Sequence, residues 1–377
     1  MKVGLVLGAG GVAGGAWLTG ALDAIATQTG WDPASADRIV GTSAGSVIGA
    51  FTAAGVPPWF MVAHSRGEVF DGLIGPDGRP AADARRDGGA VFKLHRGLPP
   101  VGPGSWRLAA SSMARPLRHT PLEVMVGWLP RGPISTEPLK DVVRRSIPAG
   151  WVDHPSYWAV ACDYATGKRV PFGRDDAPRA DTADAAAASC AIPGFYRPVQ
   201  IGGRRYVDGG VRSASNLDLL RGLGLDLVIC LNPTSSLAPG GGLHPLERFA
   251  QLNRSASGRR LGYEARRLRD SGTEVLLIQP NREDLDVIGR NLMSGRRRHE
   301  IIETARRTVA HALREPSAAD LTADLPPGPD HKIRRPDGPV AAWPEMVWGR
   351  TAPAVAATTV RVGAGFQRTP RARVKDC

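Results

Sequence analysis

One short stretch limits this chain more than any other: Arg38, Ile39 and Val40 run directly into Gly41, Thr42, Ser43, Ala44 and Gly45. The apolar residues before it read as the end of a short buried strand. Residues 46–54 read as a helix stopped by Gly55 and the pair Pro57 and Pro58. Between strand and helix lies Gly-x-Ser-x-Gly, the pattern of a strained turn that lifts a serine hydroxyl off a sheet while small neighbours make room for it. Ser43 is therefore the first candidate nucleophile. The pattern alone does not decide, because small-residue turns before helices are common and most of their serines only cap the helix.

A second strand–turn–helix unit precedes it. Residues 2–7 suit a buried parallel strand, Gly8, Gly10, Gly11, Gly14 and Gly15 form a glycine-rich loop, and residues 16–27 have a helical pattern closed by Gly30. Free backbone N–H groups at the start of a helix make an anion site. Two chemistries can use it. Read as Gly8-x-Gly10-x-x-Ala13 it matches a dinucleotide fingerprint; the same amides could instead hold the oxyanion of a tetrahedral intermediate. The dinucleotide reading needs an acidic residue at the end of the second strand, and there the chain runs into Gly41, Thr42 and Ser43. Residues 3–26 carry one charge, Asp23, yet their seven glycines argue against a signal peptide or a membrane span.

Further on, residues 57–148 change character, with a Gly-, Pro-, Asp- and Arg-dense excursion over 71–103. Around it lie Trp59, Phe60, Met61, Trp106, residues 121–126, and Trp128, Leu129 and Pro130. These read either as core or as an apolar cap that touches acyl chains or a bilayer. Strands are expected over 156–163, 225–231 and 274–278, and hairpins over 156–173 and 199–207, the second turning at Gly202 and Gly203. Helices are expected over 182–189 and 301–313, the latter with Ile302, Ala305, Val309 and Ala312 on one face. The second hairpin ends in Asp208, Gly209 and Gly210. Beyond Pro316 periodicity is lost.

A serine nucleophile needs a base and a hole for the developing oxyanion. None of the eight histidines sits in a recognisable catalytic setting, so a Ser-His-Asp triad is not supported. Asp208 is the better base, following a strand and flanked by glycines that allow close approach. The four cysteines are scattered, with no C-x-x-C pair, which points to neither zinc nor a disulfide framework and suits a reducing compartment. The net charge is +12; residues 331–377 hold nine Lys/Arg against Asp337, Glu345 and Asp376, so +6 of it lies there. Such an excess suits anionic lipid or nucleic acid, or simply a solvated tail.

Taken in order, Gly8 to Gly14, Gly41 to Gly45 and Asp208 to Gly210 resemble the three signature blocks of the patatin-like phospholipase family. The text Ala188-Ser189-Cys190-Ala191-Ile192-Pro193-Gly194 and Tyr206-Val207-Asp208 agrees with it. The resemblance covers about residues 1–314. It implies a three-layer α/β/α fold with a mostly parallel central sheet and metal- and cofactor-independent hydrolysis of lipid acyl esters through an acyl-enzyme. It also implies Ser43 as nucleophile, Asp208 as proton acceptor, and the Gly10 and Gly11 amides as oxyanion hole. The expected organisation is a hydrolase domain over 1–314 with an insertion or cap at 65–148, then a basic, weakly ordered tail at 315–377. The expected setting is cytoplasmic and peripheral at a membrane, with lipid as partner, no nucleic acid and no transmembrane segment. Ala13 stands where the family commonly has arginine, which predicts slower or narrower activity. The alternatives are a catalytically weak member that binds lipid or a protein through the same pocket, and a dinucleotide binder.

Overall fold

Side chains alternate across a pleated sheet, so the buried strands here sort the core into two halves. In the computed structural model, which describes residues 1–66, 92–95, 101–114, 121–147, 150–154, 156–235 and 245–328, eight strands form one sheet. They are β1 (Val3–Leu7), β2 (Arg38–Thr42), β3 (Tyr157–Asp163), β4 (Arg169–Phe172), β5 (Val199–Ile201), β6 (Arg204–Asp208), β7 (Leu227–Leu231) and β8 (Glu274–Ile278). The order is β5-β6-β3-β2-β1-β7-β8, with β4 paired to β3. The steps from β3 through β2, β1 and β7 to β8 are parallel; β4 and β6 pair antiparallel with β3, and β5 antiparallel with β6.

The first face buries Leu5, Leu7, Ile39, Tyr157, Ala159, Ile229 and Leu231 against helices α1 (Gly11–Thr29), α2 (Ala44–Ala53), α7 (Thr182–Ser189) and α10 (Arg298–Leu313). The second face buries the alternate residues Val6, Val40, Trp158, Val160, Val228 and Cys230 against Leu217, Leu220 and α8 (Pro245–Arg269). Helices therefore cover both faces, as parallel strands require, and this is the α/β arrangement expected. Each fully buried Leu, Ile or Val contributes about 1.5–3 kcal/mol of apolar transfer. The remaining helices are α3 (Pro58–Ser65), α4 (Trp106–Ala114), α5 (Pro121–Trp128), α6 (Glu137–Ser146), α9 (Arg282–Ile288) and α11 (Pro316–Thr322).

Several expectations shift. Helix α1 begins at Gly11, not residue 16, and continues through Gly14, Gly15 and Gly20. Gly20 is needed for packing rather than for breaking the helix: a Cβ there would lie 2.4 Å from the Ile302 carbonyl of α10. Helix α2 begins at Ala44, directly after the serine, two residues before the expected start. Past Pro316, where periodicity was expected to end, α11 packs on α10 and β8, and Leu325 is buried. The basic stretch 331–377 and most of the excursion at 71–103 lie outside the described residues.

Candidate functional site

The two expected reactive residues close strands that reach the same level of β3. Thr42, the last residue of β2, pairs with Val160, and Asp208, the last residue of β6, pairs with Ala161. Because β2 runs parallel to β3 and β6 antiparallel, their carboxyl-terminal ends arrive at adjacent β3 residues from opposite directions. Residue 43 and residue 208 are thereby brought face to face.

Ser43 turns the chain between β2 and α2 with φ 53 and ψ −125. For a residue with a side chain this conformation costs on the order of 1–3 kcal/mol and persists only when its surroundings enforce it. They do so in several ways. A Cβ on Gly45 would stand 2.0 Å from the Leu7 carbonyl, so only glycine lets α2 start this close to β1. The backbone N–H and the hydroxyl of Ser46 both donate to the Ser43 carbonyl, at 2.8 and 2.7 Å. The Tyr157 hydroxyl donates to the Ser46 carbonyl at 2.5 Å. The Ser43 N–H donates to Ser189 Oγ at 2.9 Å, and the Ser189 hydroxyl donates in turn to the Val160 carbonyl at 2.6 Å. Beneath the turn, Thr42 Oγ1 accepts from Asn216 Nδ2 at 3.0 Å.

The Asp208 carboxylate accepts the Gly210 N–H at 2.7 Å, and the Ser43 side chain lies beside it. Its backbone N–H donates to the Ala191 carbonyl at 3.0 Å. Burial disfavours the charged carboxylate and pushes its pKa up to about 6; the Gly210 N–H and the neighbouring Ser43 pull the other way and offset only part of it. The Cys190 thiol lies against the same serines, its Sγ 3.9 Å from Ser46 Oγ, and burial followed by the Asp208 charge raises its pKa far above that of a free thiol. It is therefore a poor nucleophile at neutral pH. Gly209 and Gly210 open a short 3₁₀ turn directly after Asp208.

The glycine loop packs on both pieces. Besides the Gly45 contact, a Cβ on Gly210 would touch Ala9 Cβ at 3.7 Å. Gly8 N–H donates to the Leu231 carbonyl and Ala9 N–H to the Ala214 carbonyl, each at 2.8 Å, while Ala13 N–H donates to the Leu292 carbonyl at 2.9 Å. The amides between them, those of Gly10, Gly11 and Val12, have no acceptor among the described residues. They sit at the N-terminus of the 19-residue helix α1, where dipole and unpaired donors favour negative charge. Ala13 is buried in the core, and its side chain adds no charge to the loop.

Gly41, Ser43, Gly45, Gly10, Gly11, Asp208, Gly209 and Gly210 thus gather at the carboxyl-terminal ends of β1 and β2, the customary ligand end of a parallel sheet. Among the described residues no histidine partners Ser43 or Asp208, and no three His, Cys, Asp or Glu side chains form a group that could hold a metal ion. The dinucleotide reading finds no ribose-binding acid, since β2 ends in Thr42. Four contributors were not singled out from the sequence: Ser189, Asn216, Leu292 and, behind them, Glu264. The buried Glu264 carboxylate on α8 accepts the Ser215 hydroxyl at 2.7 Å and the Leu217 N–H at 3.2 Å, and pairs with Arg260 at 2.8 Å, fixing the loop that carries Asn216. Ser189 sits in an alanine-rich run where a serine reads as one more small packing residue; Asn216 acts across 174 residues of sequence, Leu292 through its backbone carbonyl, and Glu264 on residues 47 and 49 positions before it.

The family model for patatin-like phospholipases matches residues 5–221, more than half of the chain. The match runs from β1 past Asp208 and stops before β7.

Proposed function

The chain belongs to the patatin-like phospholipase family, and from that premise we propose that it hydrolyses lipid acyl esters with Ser43 as nucleophile, Asp208 as its base and no metal in the ester chemistry. The observation that carries the reading is the buried carboxylate of Asp208, its pKa raised to about 6, beside the buried Ser43 side chain. A base with that pKa is ionised at neutral pH yet basic enough to take a proton in the transition state.

In the proposed course, Ser43 Oγ bonds to the ester carbonyl carbon as its proton passes to Asp208. The negative charge that develops on the carbonyl oxygen is received by the Gly10 and Gly11 amides. The carbon–oxygen bond to the alcohol breaks, and the proton on Asp208 goes to the departing alcohol. Water then attacks the acyl-Ser43 ester, gives its proton to Asp208, and the fatty acid leaves with Ser43 reprotonated. Ala13 leaves both amides in place and supplies no guanidinium, so turnover is slower than in members that carry arginine there. The catalytic domain is proposed to extend from residue 1 to the end of α11, since β7, β8 and α10 complete the same sheet and core.

No helix among the described residues is long and apolar enough to cross a membrane. The enzyme is proposed to meet its substrate from the water side, as a peripheral protein. The test is fatty-acid release from phospholipid and glycerolipid substrates in the presence of chelator. Release by the wild type and none by Ser43→Ala supports the proposal. No release from any acyl ester by the wild type would favour a binding protein that kept the pocket and lost the chemistry.

A further inference from the structure

Helices α4 and α5 bury the wrong fraction of themselves for a solvated hairpin. Their inner sides pack normally: Leu108 and Val126 join Cys162, Tyr164, Val207 and Val211 in one apolar cluster. The two helices are tied by Gly104 N–H donating to the Leu129 carbonyl at 2.9 Å and Ser105 N–H donating to the Gly127 carbonyl at 3.2 Å. The Tyr164 hydroxyl donates to the Val126 carbonyl at 3.2 Å. A surface helix then ordinarily turns polar residues outward. Here the outward stripe of α4 is Trp106, Ala110 and Met113, at helical spacing i, i+4, i+7, and α5 adds Met125 and Trp128. Trp106 is 67% exposed, Met113 70%, Met125 51% and Trp128 44%, and Val101, just before α4, is 95% exposed.

These five side chains make up nearly half of the large apolar residues exposed among the described residues, and they fall within 28 positions of sequence. Concentration of this kind marks an interaction surface rather than scattered exposure. Its place in the fold is also specific. Helix α5 packs on the 3₁₀ turn Gly209–Val211 that begins one residue after Asp208, so the patch overlies the side of the site that carries the proposed base.

Charge narrows the occupant. Among the described residues Arg107, exposed on α4, and Arg131, just after α5, flank the patch against the acid Glu123 within 101–136, on a chain whose net charge is +12. Exposed Trp and Met beside a basic excess match the boundary of an anionic bilayer, where rings and thioethers enter the acyl region and guanidinium groups meet phosphate. We propose that the α4–α5 face docks the enzyme on an anionic lipid surface and presents the Ser43–Asp208 site to it. The choice of occupant rests on the lipid-ester reading of the site.

The test uses the full chain as Ser43→Ala, so that the probe lipid survives, and vesicles of phosphatidylcholine alone or mixed with phosphatidylglycerol. Co-sedimentation of Ser43→Ala should be stronger on the mixed vesicles and should fall about tenfold or more in Trp106→Ser/Met113→Ser and in Trp128→Ser on the same background. The same surface changes made in the wild-type chain should leave its thermal melt and its turnover of a water-soluble short-chain ester unchanged. Equal vesicle binding by the surface variants and their parent overturns the proposal. So does a dimer that dissociates on these substitutions, because the patch would then be covered by a second copy. If the hydrolase reading alone fails, the wild type is inert on the soluble ester while vesicle binding persists; if docking alone fails, soluble-ester turnover persists while binding is indifferent to the face.

Discussion

Replacing Asp208 by asparagine should make the protein more stable and inactive at once, and the gain should depend on pH. The folded state holds this carboxyl at about 6, against 3.8 for an ordinary aspartate. A folded-state pKa raised in this way means that the native protein holds its proton more tightly than the unfolded chain. The stabilisation that this proton provides is fully present below about 3.8 and is lost as pH rises through about 6. At about 1.4 kcal/mol per tenfold, keeping a charged Asp208 buried costs on the order of 3 kcal/mol at pH 8 and about 1 kcal/mol at pH 4.5. Asparagine keeps the oxygen that accepts the Gly210 N–H and removes the charge. The advantage of Asp208→Asn over the wild type should therefore grow by about 2 kcal/mol between pH 4.5 and pH 8. Denaturant unfolding at both pH values measures this directly, with ester turnover run in parallel. A constant difference between variant and wild type, or a variant that loses ground as pH rises, would refute the claim that a strained buried carboxylate sits beside Ser43.

Three further outcomes follow from the same geometry. Turnover of a soluble ester by the wild type should fall about tenfold per pH unit below about 6, because the base must be ionised to take the Ser43 proton, and should level off above it; a flat profile from pH 5 to 7 would contradict this. Ser189→Ala leaves the Ser43 N–H and the Val160 carbonyl buried without their shared partner, and should cost about 1–3 kcal/mol in denaturant unfolding together with a lower kcat. Glu264→Ala strands the Ser215 hydroxyl and the Leu217 N–H in the core. It should destabilise by about 2–4 kcal/mol, whereas Glu264→Gln, which keeps one acceptor, should recover much of that in the same assay.

Much of this fold could be read in the sequence because local signals and tertiary demand agree. Helix α7 falls over Thr182–Ser189 and strand β8 over Glu274–Ile278, both as expected, since an alanine run and an apolar β-branched run each have one good way to pack here. The hairpin of β5 and β6 turns at Gly202 and Gly203, which both take positive φ. Helix α8 was not foreseen. Its sequence is crowded with arginine, and its described side chains bury only Leu261, Ala265 and Leu268 together with the carboxylate of Glu264, so one buried acid hides within what looks like a solvated stretch. The glycines of α1 misled in the opposite sense: they read as breakers, yet at Gly20 the absence of a side chain is what lets α10 approach.

At the site, the residue types were legible and the support was not. Ser43, Asp208 and the glycine pairs stand in patterns whose backbone demands are written locally, and Ser43 does take the positive φ that a strained turn requires. Ser189, Asn216 and Leu292 act across distance, each through a single hydrogen bond to the elbow or the glycine loop. No spacing in one sequence announces such a bond. The apolar cap considered for Trp59, Phe60, Met61, Trp106 and Trp128 divides by burial: Phe60 and Met61 belong to the core, while Trp106 and Trp128 face outward on α4 and α5.

The central claim is that Ser43 attacks and Asp208 activates it. Reaction with a fluorophosphonate, followed by intact mass and peptide mapping, examines it most directly. The account predicts one adduct, on Ser43, absent in Ser43→Ala and formed at least about a hundredfold more slowly in Asp208→Asn, as expected when a general base is removed. An adduct on another residue, or labelling of Asp208→Asn at the wild-type rate, would contradict it.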